Sequence, residues 1–132
     1  MPDESGTTVL IVDDERLVAD TLALILKRKG WRPITAYSAV EALRRLRESQ
    51  PVAAILDVML PDMNGIKLAE QIRQRFPDCQ VLLLSGRPEA TELLEAAEAR
   101  GRHFEILVKP VDPGELLARL PKMPAVLPAQ GR

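Results

Sequence analysis

The sequence predicts an α/β protein in which five parallel strands form one doubly wound sheet with helices on both faces. Short apolar runs alternate with amphipathic stretches along the chain, and the series starts with a strand. That alternation indicates strand–helix–strand units, which join parallel strands by right-handed crossovers. The length of 132 residues corresponds to one domain with a substantial core. An edge-like second strand favours the strand order 2-1-3-4-5.

The predicted strands are the apolar runs, and the most informative of them covers residues 52–57. In this run five apolar residues precede a single carboxylate, Asp57, and a stretch containing Pro61 and Gly65 follows. An apolar run without a polar break indicates a strand that is buried on both faces. The other predicted strands cover residues 8–12, 33–37, 80–84 and 104–108. A proline at the start of the second strand indicates a sheet edge, because proline donates no ladder hydrogen bond.

Helical periodicity and capping residues predict a helix after each strand. Ser38, followed three residues later by Glu41, has the pattern of a capping box for the second helix. Asn64 is predicted to cap the third helix, and Pro88 suits the first turn of the fourth. Four of the predicted helices cover about residues 15–29, 64–75, 88–100 and 113–120. The remaining one, the second along the chain, begins at residue 39.

Composition excludes several classes of function. The chain is 46% hydrophobic and 28% charged, with a net charge of -1 and a sequence pI of about 5.9. Such a balance offers no basic excess for nucleic acid or for an anionic membrane surface. The N-terminus lacks the features of a signal peptide, and no apolar run approaches the roughly 18 residues of a membrane span. The single cysteine, Cys79, excludes an internal disulfide and fits the reducing cytoplasm.

Polar residues follow four of the predicted strands, at the sheet edge where open parallel sheets bind their ligands. These residues are Asp13 and Asp14 after the first strand, Asp57 in the third, Ser85 after the fourth and Lys109 after the fifth. Three converging carboxylates repel each other, and a hard divalent cation such as Mg²⁺ relieves the repulsion. Lys109 adds a second positive charge. The set indicates a phosphoryl site in which Asp57 is the nucleophile.

In these residues the sequence resembles the receiver domain of bacterial two-component response regulators, over residues 7–120. The matching features are the acidic pair, Asp57, Pro61 and Gly65 four and eight residues beyond it, Ser85, and the Lys109-Pro110 pair, each at the expected strand end. Each feature alone is common, but the ordered set is highly specific. The resemblance implies a flavodoxin-like (βα)5 fold and a signalling domain of a phosphorelay rather than an enzyme.

The resemblance also implies roles for the acidic residues. Asp57 corresponds to the phosphoacceptor. Asp14 corresponds to a direct Mg²⁺ ligand, together with Asp57 and the backbone carbonyl of Met59, and Asp13 to a residue that acts through a metal-bound water. The implied phosphoryl donor is a histidine kinase, a histidine phosphotransferase or a small acyl phosphate, and slow autodephosphorylation is expected. An unknown downstream protein would read the phosphorylated state.

Further roles follow from the same resemblance. Lys109 corresponds to the phosphoryl-binding lysine, with a cis peptide bond to Pro110. Ser85 corresponds to the hydroxyl that moves toward the phosphoryl group on activation. Met59 and Arg87 occupy two variable positions that tune the lifetime of the phosphoryl group. Two alternatives stay open from the residues alone: Ser85 as a cap of the next helix, and Arg87 as a solvated surface residue.

The sequence departs from the family at the switch position, where an aromatic residue is usual and Ile106 is present. Isoleucine has no ring to turn inward and is stiff at χ1. Phe104 lies two residues earlier on the same strand face. We therefore hypothesise that the phosphorylation chemistry is retained while its readout is altered.

The ends of the chain also depart from the family pattern. The last helix is predicted to be only about two turns long, because prolines follow it. Residues 121–132 are predicted to be a Pro-rich tail or linker stub with no effector domain, and residues 1–7 a flexible N-terminus.

Three other functions compete with the receiver interpretation. One is a receiver-like interaction module that works without phosphorylation; the intact acidic set and Lys109 argue against it, and only Ile106 keeps it open. Another is a haloacid-dehalogenase-type phosphatase, but that family needs two aspartates spaced by one residue, and Asp13 and Asp14 are adjacent. The third is a nucleotide-binding module, whose glycine-rich phosphate loops the sequence lacks.

Overall fold

Five strands and five helices alternate along the chain in a computed structural model that describes residues 7–121. The strands are β1 Thr7–Val12, β2 Trp31–Ala36, β3 Ala53–Asp57, β4 Gln80–Ser85 and β5 Glu105–Val108. The helices are α1 Arg16–Arg28, α2 Ala39–Ser49, α3 Gly65–Arg75, α4 Pro88–Ala99 and α5 Pro113–Arg119. All neighbouring strands are parallel, in the order β2-β1-β3-β4-β5. The predicted fold class and strand order are confirmed.

Strand β3 lies at the centre of the sheet, between β1 and β4, and all five of its residues are buried. Helices cover both faces. One layer of the core contains buried residues of α1 and α5, and the other contains buried residues of α2, α3 and α4. Each fully buried leucine or isoleucine contributes about 1.5–3 kcal/mol relative to an exposed one. The apolar run of β3 therefore fixes Asp57 at the end of the best-buried strand.

The observed strand boundaries correct several predictions. β3 begins at Ala53, one residue later than predicted, and β4 ends at Ser85, one residue later than predicted. β1 begins at Thr7, one residue earlier than predicted, because Thr7 pairs with Trp31. β2 also begins at Trp31, so Pro33 lies inside the strand and not at its start. The position is tolerated because β2 is an edge strand, whose outer side needs no partner. β5 begins at Glu105, one residue later than predicted.

The helix ends follow the predicted capping residues, with one variation. Ser38 Oγ accepts a hydrogen bond from Glu41 N at 3.2 Å, as in a capping box. The Glu41 carboxylate accepts from Tyr37 N at 2.8 Å, one residue before the position that a capping box uses. Asn64 Oδ1 accepts from two amide groups of the first turn of α3, as predicted.

Helix α5 has seven residues, which confirms a last helix of about two turns. The predicted Pro-rich tail at 121–132 lies outside the described residues except for Pro121. Residues 1–6 of the predicted N-terminal segment lie outside them as well.

Candidate phosphoacceptor and metal site

The acidic residues predicted to converge do so at the carboxyl edge of the sheet. Asp13 and Asp14 follow β1 directly, and Asp57 is the last residue of the adjacent strand β3. One carboxylate oxygen from each of the three lies within 4.8 Å of the other two. Asp13 is fully buried and Asp57 is 4% exposed, whereas Asp14 is exposed. The cluster therefore has a buried floor and one side that is open to solvent.

Backbone amide groups orient the two buried carboxylates. Asp57 Oδ1 accepts a hydrogen bond from Met59 N at 3.1 Å, and Asp13 Oδ1 accepts from Glu15 N at 3.0 Å. In both cases the donor lies two residues further along the chain, where each strand turns into the next loop. Because Oδ1 is held in this way, Oδ2 of each residue is directed toward the centre of the site.

Lys109 occupies that centre. Its Nζ lies 2.7 Å from Asp13 Oδ2 and 3.1 Å from Asp57 Oδ2. The Lys109 side chain is only 15% exposed, and the peptide bond from Lys109 to Pro110 is cis, as the resemblance implied. The lysine is therefore an internal cation between two buried anions.

Glu15 is a member of the site that the sequence analysis missed. Its Oε1 lies 3.2 Å from Lys109 Nζ. The sequence predicts Glu15 at the start of the first helix. In the structure it is the N-cap residue of α1 and makes no side-chain capping bond. Its position directly after Asp13 and Asp14 is the signal that could have identified it.

The charges shift the pKa values of the buried groups. Burial raises the pKa of Asp13, the negative charge of Asp57 adds to that rise, and hydrogen bonds from Lys109 and Glu15 N oppose it. Burial alone would lower the pKa of Lys109, but the contacts with Asp13 and Asp57 outweigh it and raise that pKa. Lys109 therefore stays protonated at neutral pH and supplies a fixed positive charge.

The donor set fits a hard divalent cation. Among residues 7–121, the partner of the buried Asp13 Oδ2 is Lys109 Nζ, 2.7 Å away, and a carboxylate oxygen accepts more than one contact, so this oxygen has spare coordinating capacity. The exposed carboxylate of Asp14 lies on the open side. Oxygen ligands that include carboxylates, with room for several waters, are the environment that Mg²⁺ prefers. The acidic cluster is thus compatible with Mg²⁺ binding.

Glycine at position 65 lets the loop after β3 fold tightly against the backbone of Asp57. Gly65 N donates to the carbonyl of Val58 at 2.6 Å, and Met59 pairs with Asn64 across the loop. A Cβ at position 65 would overlap the backbone oxygen of Asp57 and lie 2.9 Å from Val58 Cα. The glycine eight residues beyond Asp57 is therefore required by close backbone approach.

Ser85 and Arg87 lie near the site but not in contact with its acidic residues. Ser85 ends β4, and its carbonyl accepts from Lys109 N at 3.0 Å. Among the described residues no hydrogen bond joins the Ser85 hydroxyl to Asp57. Arg87 is exposed at the N-cap of α4 and makes no side-chain capping bond. Between them, Gly86 leaves room for the Lys109 side chain, because a Cβ there would lie 2.8 Å from Lys109 Cδ.

At the switch position Ile106 is 36% exposed on the edge strand β5. It lines a groove of about 330 Å³ together with Ser85 and Phe104. The Phe104 ring packs against the core, and the Arg73 guanidinium lies 4.0 Å from its centroid. Phe104 is thus held by α3 and does not occupy the place of a switch residue at position 106.

Comparisons with known proteins agree with this geometry. The sequence matches the family model of the response regulator receiver domain over residues 9–121. It is 34% identical over 112 residues to the response regulator MprA of Mycobacterium ulcerans, a match that covers 85% of this chain and 47% of that protein. The chain belongs to the response regulator receiver domain family. Receiver domains are signalling domains and not classical enzymes.

Solved structures show the same fold. A response regulator receiver domain protein from Clostridium thermocellum superposes with a TM-score of 0.73 at 28% identity, covering 83% of this chain and 87% of that one. The chemotaxis response regulator CheY4 of Vibrio cholerae gives a TM-score of 0.72 at 27% identity, covering 86% and 94%. The chain spans about half the length of the curated relatives it matches. Within the described part of the chain, no helix is long and apolar enough to span a bilayer.

Replacing Lys109 with methionine is expected to lower the free energy of unfolding by about 2 kcal/mol, because Asp13 and Asp57 then face each other without a cation. Urea denaturation at pH 7 with a metal chelator measures this loss. The matched control is the double variant Asp13→Asn/Lys109→Met, which removes one of the two repelling charges. We expect the double variant to be more stable than the single one, and equal or lower stability would refute this account of the site.

Proposed function

We propose that this receiver domain accepts a phosphoryl group on Asp57 with Mg²⁺ bound and signals through altered contacts with a downstream protein. The observation that carries the proposal is the environment of Asp57. Its carboxylate is 4% exposed and is held between Met59 N and Lys109 Nζ, each 3.1 Å away, beside Asp13 and Asp14. A carboxylate held in one orientation next to a permanent cation is suited to attack phosphorus.

In the proposed reaction a carboxylate oxygen of Asp57 forms a bond to phosphorus as the bond from phosphorus to the donor breaks. The donor is a phosphohistidine of a histidine kinase or phosphotransferase, or a small acyl phosphate. The bonding electrons leave with the imidazole nitrogen or with the carboxylate of the acyl group. Lys109 neutralises charge on the phosphoryl oxygens, and Met59 N keeps the nucleophile oriented.

The metal site is part of the proposal. Asp14, Asp57 and the Met59 carbonyl would hold Mg²⁺ directly, and Asp13 would act through a bound water. When bound, the ion supplies positive charge for the oxygens of the phosphoryl group. The burial of Asp13 and its spare oxygen support this assignment.

The remaining predicted residues have proposed roles around the phosphoryl group. The Ser85 hydroxyl would donate a hydrogen bond to it, and Met59 and Arg87 would tune its lifetime by controlling access of water. Support comes from position: Ser85 and Lys109 are joined by a backbone hydrogen bond, and Arg87 lies two residues further on. The protein would work in the cytoplasm, and its net charge of -1 favours protein partners over nucleic acid.

A groove beside the site offers a surface for the phosphodonor protein. Its volume is about 470 Å³, and the side chains of Leu17, Val18 and Ile25 on α1 line it together with Val111. Lys109 lines the same groove, so the groove is continuous with the phosphoacceptor site. Leu17 is 81% exposed, and with the other apolar side chains of the groove it forms a patch, which is the kind of exposed apolar surface that marks an interaction site. We propose that the protein surface around the donor phosphohistidine covers this groove during transfer.

Incubation with acetyl phosphate and MgCl₂ is expected to add one phosphoryl group to the wild-type chain and none to Asp57→Asn, because the variant lacks the carboxylate of the proposed phosphoacceptor. Intact mass spectrometry measures the gain. The matched control is Asp78→Asn, an exposed loop aspartate that should leave phosphorylation unchanged. If the wild-type chain gains no phosphoryl group from acetyl phosphate or from a kinase, the interaction module that works without phosphorylation becomes the better interpretation.

Leu17→Glu is expected to slow phosphoryl transfer from a histidine kinase by about tenfold or more, because a charge placed in the groove opposes apolar docking. Phosphorylation by acetyl phosphate should stay within about twofold of wild type, since Leu17 does not contact Asp57. Measuring both rates on the same variant separates docking from chemistry. An equal loss in both assays would contradict the role of the groove.

The altered readout remains our hypothesis for the outer face. Beryllofluoride, a stable mimic of the phosphoryl group, is expected to shift NMR signals around Asp57 and Ser85 but to cause only small shifts across α4, β5 and α5, because Ile106 lacks a ring to reorient. Comparing the free and beryllofluoride-bound forms measures this pattern. The variant Ile106→Tyr restores an aromatic ring and should spread the shifts outward. Large shifts across that face in the wild-type chain would overturn the hypothesis.

A further inference from the structure

The loop at residues 58–64, between β3 and α3, is attached to the protein at both its base and its tip. At the base, Met59 N binds Asp57 Oδ1, and Gly65 N binds the carbonyl of Val58. At the tip, the Asp62 carboxylate points away from the loop and accepts hydrogen bonds from the first turn of α2. The sequence does not predict the second attachment. Asp62 lies beyond the C-terminal end of α2, and no local pattern links it to the N-terminus of that helix.

The contact of Asp62 with α2 uses both carboxylate oxygens. Oδ1 accepts a hydrogen bond from Ala39 N at 2.9 Å, and Oδ2 accepts from Val40 N at 3.0 Å. These amides belong to the first turn of a helix, whose N–H groups have no intrahelical partner. Ser38 Oγ accepts from the next amide, that of Glu41. Asp62 therefore supplies the part of the cap that Ser38 leaves open, across 22–23 residues of chain.

The ionised form of Asp62 is the one that is held. Its slight burial would raise the pKa, but the hydrogen bonds from Ala39 N and Val40 N outweigh that effect and lower the pKa below its ordinary value of 3.8. A carboxylate at a helix N-terminus is also favoured by the helix dipole. At neutral pH the Asp62 carboxylate is therefore charged, and each of its two oxygens accepts a hydrogen bond. Two bonds restrain both the position and the direction of the loop tip.

The loop that Asp62 restrains contains Met59, which orients the nucleophile. Asp62 lies three positions beyond Met59 in the chain, and Met59 also pairs with Asn64 on the return limb of the loop. Motion at the tip is therefore transmitted to the Met59 peptide. Because Met59 N fixes Asp57 Oδ1, a looser tip allows the carboxylate to leave the direction in which it meets the phosphoryl group.

We propose that Asp62 is a positioning residue for the phosphoacceptor: its bond to the N-terminus of α2 holds the Met59 backbone against Asp57. The proposal rests on phosphoryl transfer to Asp57, the function proposed above. The hydrogen bonds that the Asp62 carboxylate accepts come from Ala39 N and Val40 N of α2, so Asp62 would act through the loop. Misorientation of a reacting group by a small distance is enough to slow a reaction severalfold to a hundredfold.

A purely structural cap would give a different result, and Ser38 provides the matched control. Ser38→Ala removes a capping bond from the same turn of α2 but leaves the loop attached. Asp62→Ala removes the cap and the loop attachment together. Asp62→Asn keeps one acceptor oxygen and tests the same point if the alanine variant folds poorly.

The experiment compares the three variants and the wild-type chain by thermal unfolding, by the initial rate of phosphorylation with acetyl phosphate and MgCl₂, and by exchange of the Met59 amide hydrogen followed by NMR. Asp62→Ala and Ser38→Ala should unfold at similarly lowered temperatures. We expect the phosphorylation rate to fall about fivefold or more in Asp62→Ala, by less than about twofold in Ser38→Ala, and by an intermediate amount in Asp62→Asn. Exchange of the Met59 amide should accelerate in the Asp62 variants only.

Two outcomes would overturn the inference. One is a phosphorylation rate and a Met59 exchange rate in Asp62→Ala that match those of the wild-type chain. The other is an equal slowing in Ser38→Ala, which would reduce Asp62 to an ordinary cap. If the wild-type chain itself gains no phosphoryl group, the proposed function fails, and the Met59 exchange rates still judge the positioning role on their own.

Discussion

The ion pairs of Lys109 with Asp13 and Asp57 are the interaction on which the arrangement of the site depends. Two carboxylates buried at the ends of neighbouring strands repel each other and lose hydration, so they require a cation within contact distance. Lys109 directly follows β5, and β4 lies between β5 and β3. The long lysine side chain reaches past the end of β4 to Asp57. The fold thus brings a cation to two buried carboxylates that would otherwise repel each other.

Backbone groups restrain Asp57 at the junction between β3 and the loop that follows it. Hydrogen bonds from Met59 N and Gly65 N close the base of the loop, and a side chain at position 65 has no space. The result is a carboxylate whose surroundings are set by main-chain groups, which have few conformational options. Fixed donors of this kind need little reorganisation when charge moves in a reaction.

Most of the fold, and the core of the site, could be predicted because local patterns determined them. The apolar run of β3 and the polar residues at strand ends placed Asp13, Asp14, Asp57 and Lys109 together. Long-range contacts that have no local sequence signal were not predictable. Asp62 carries no local signal for α2, and the start of β2 at Trp31 depends on its pairing with β1 and not on Pro33.

Gly86 shows how an absent side chain can control the charge balance of a site. The Lys109 chain passes so close that a Cβ at position 86 would lie 2.8 Å from Lys109 Cδ. A flexible lysine would ordinarily swing aside, but this one is tied at Nζ to Asp13 and Asp57. Any larger residue at position 86 therefore competes directly with those ion pairs. For protein engineering, position 86 is a place where sequence variation acts on the lysine without altering any charged group.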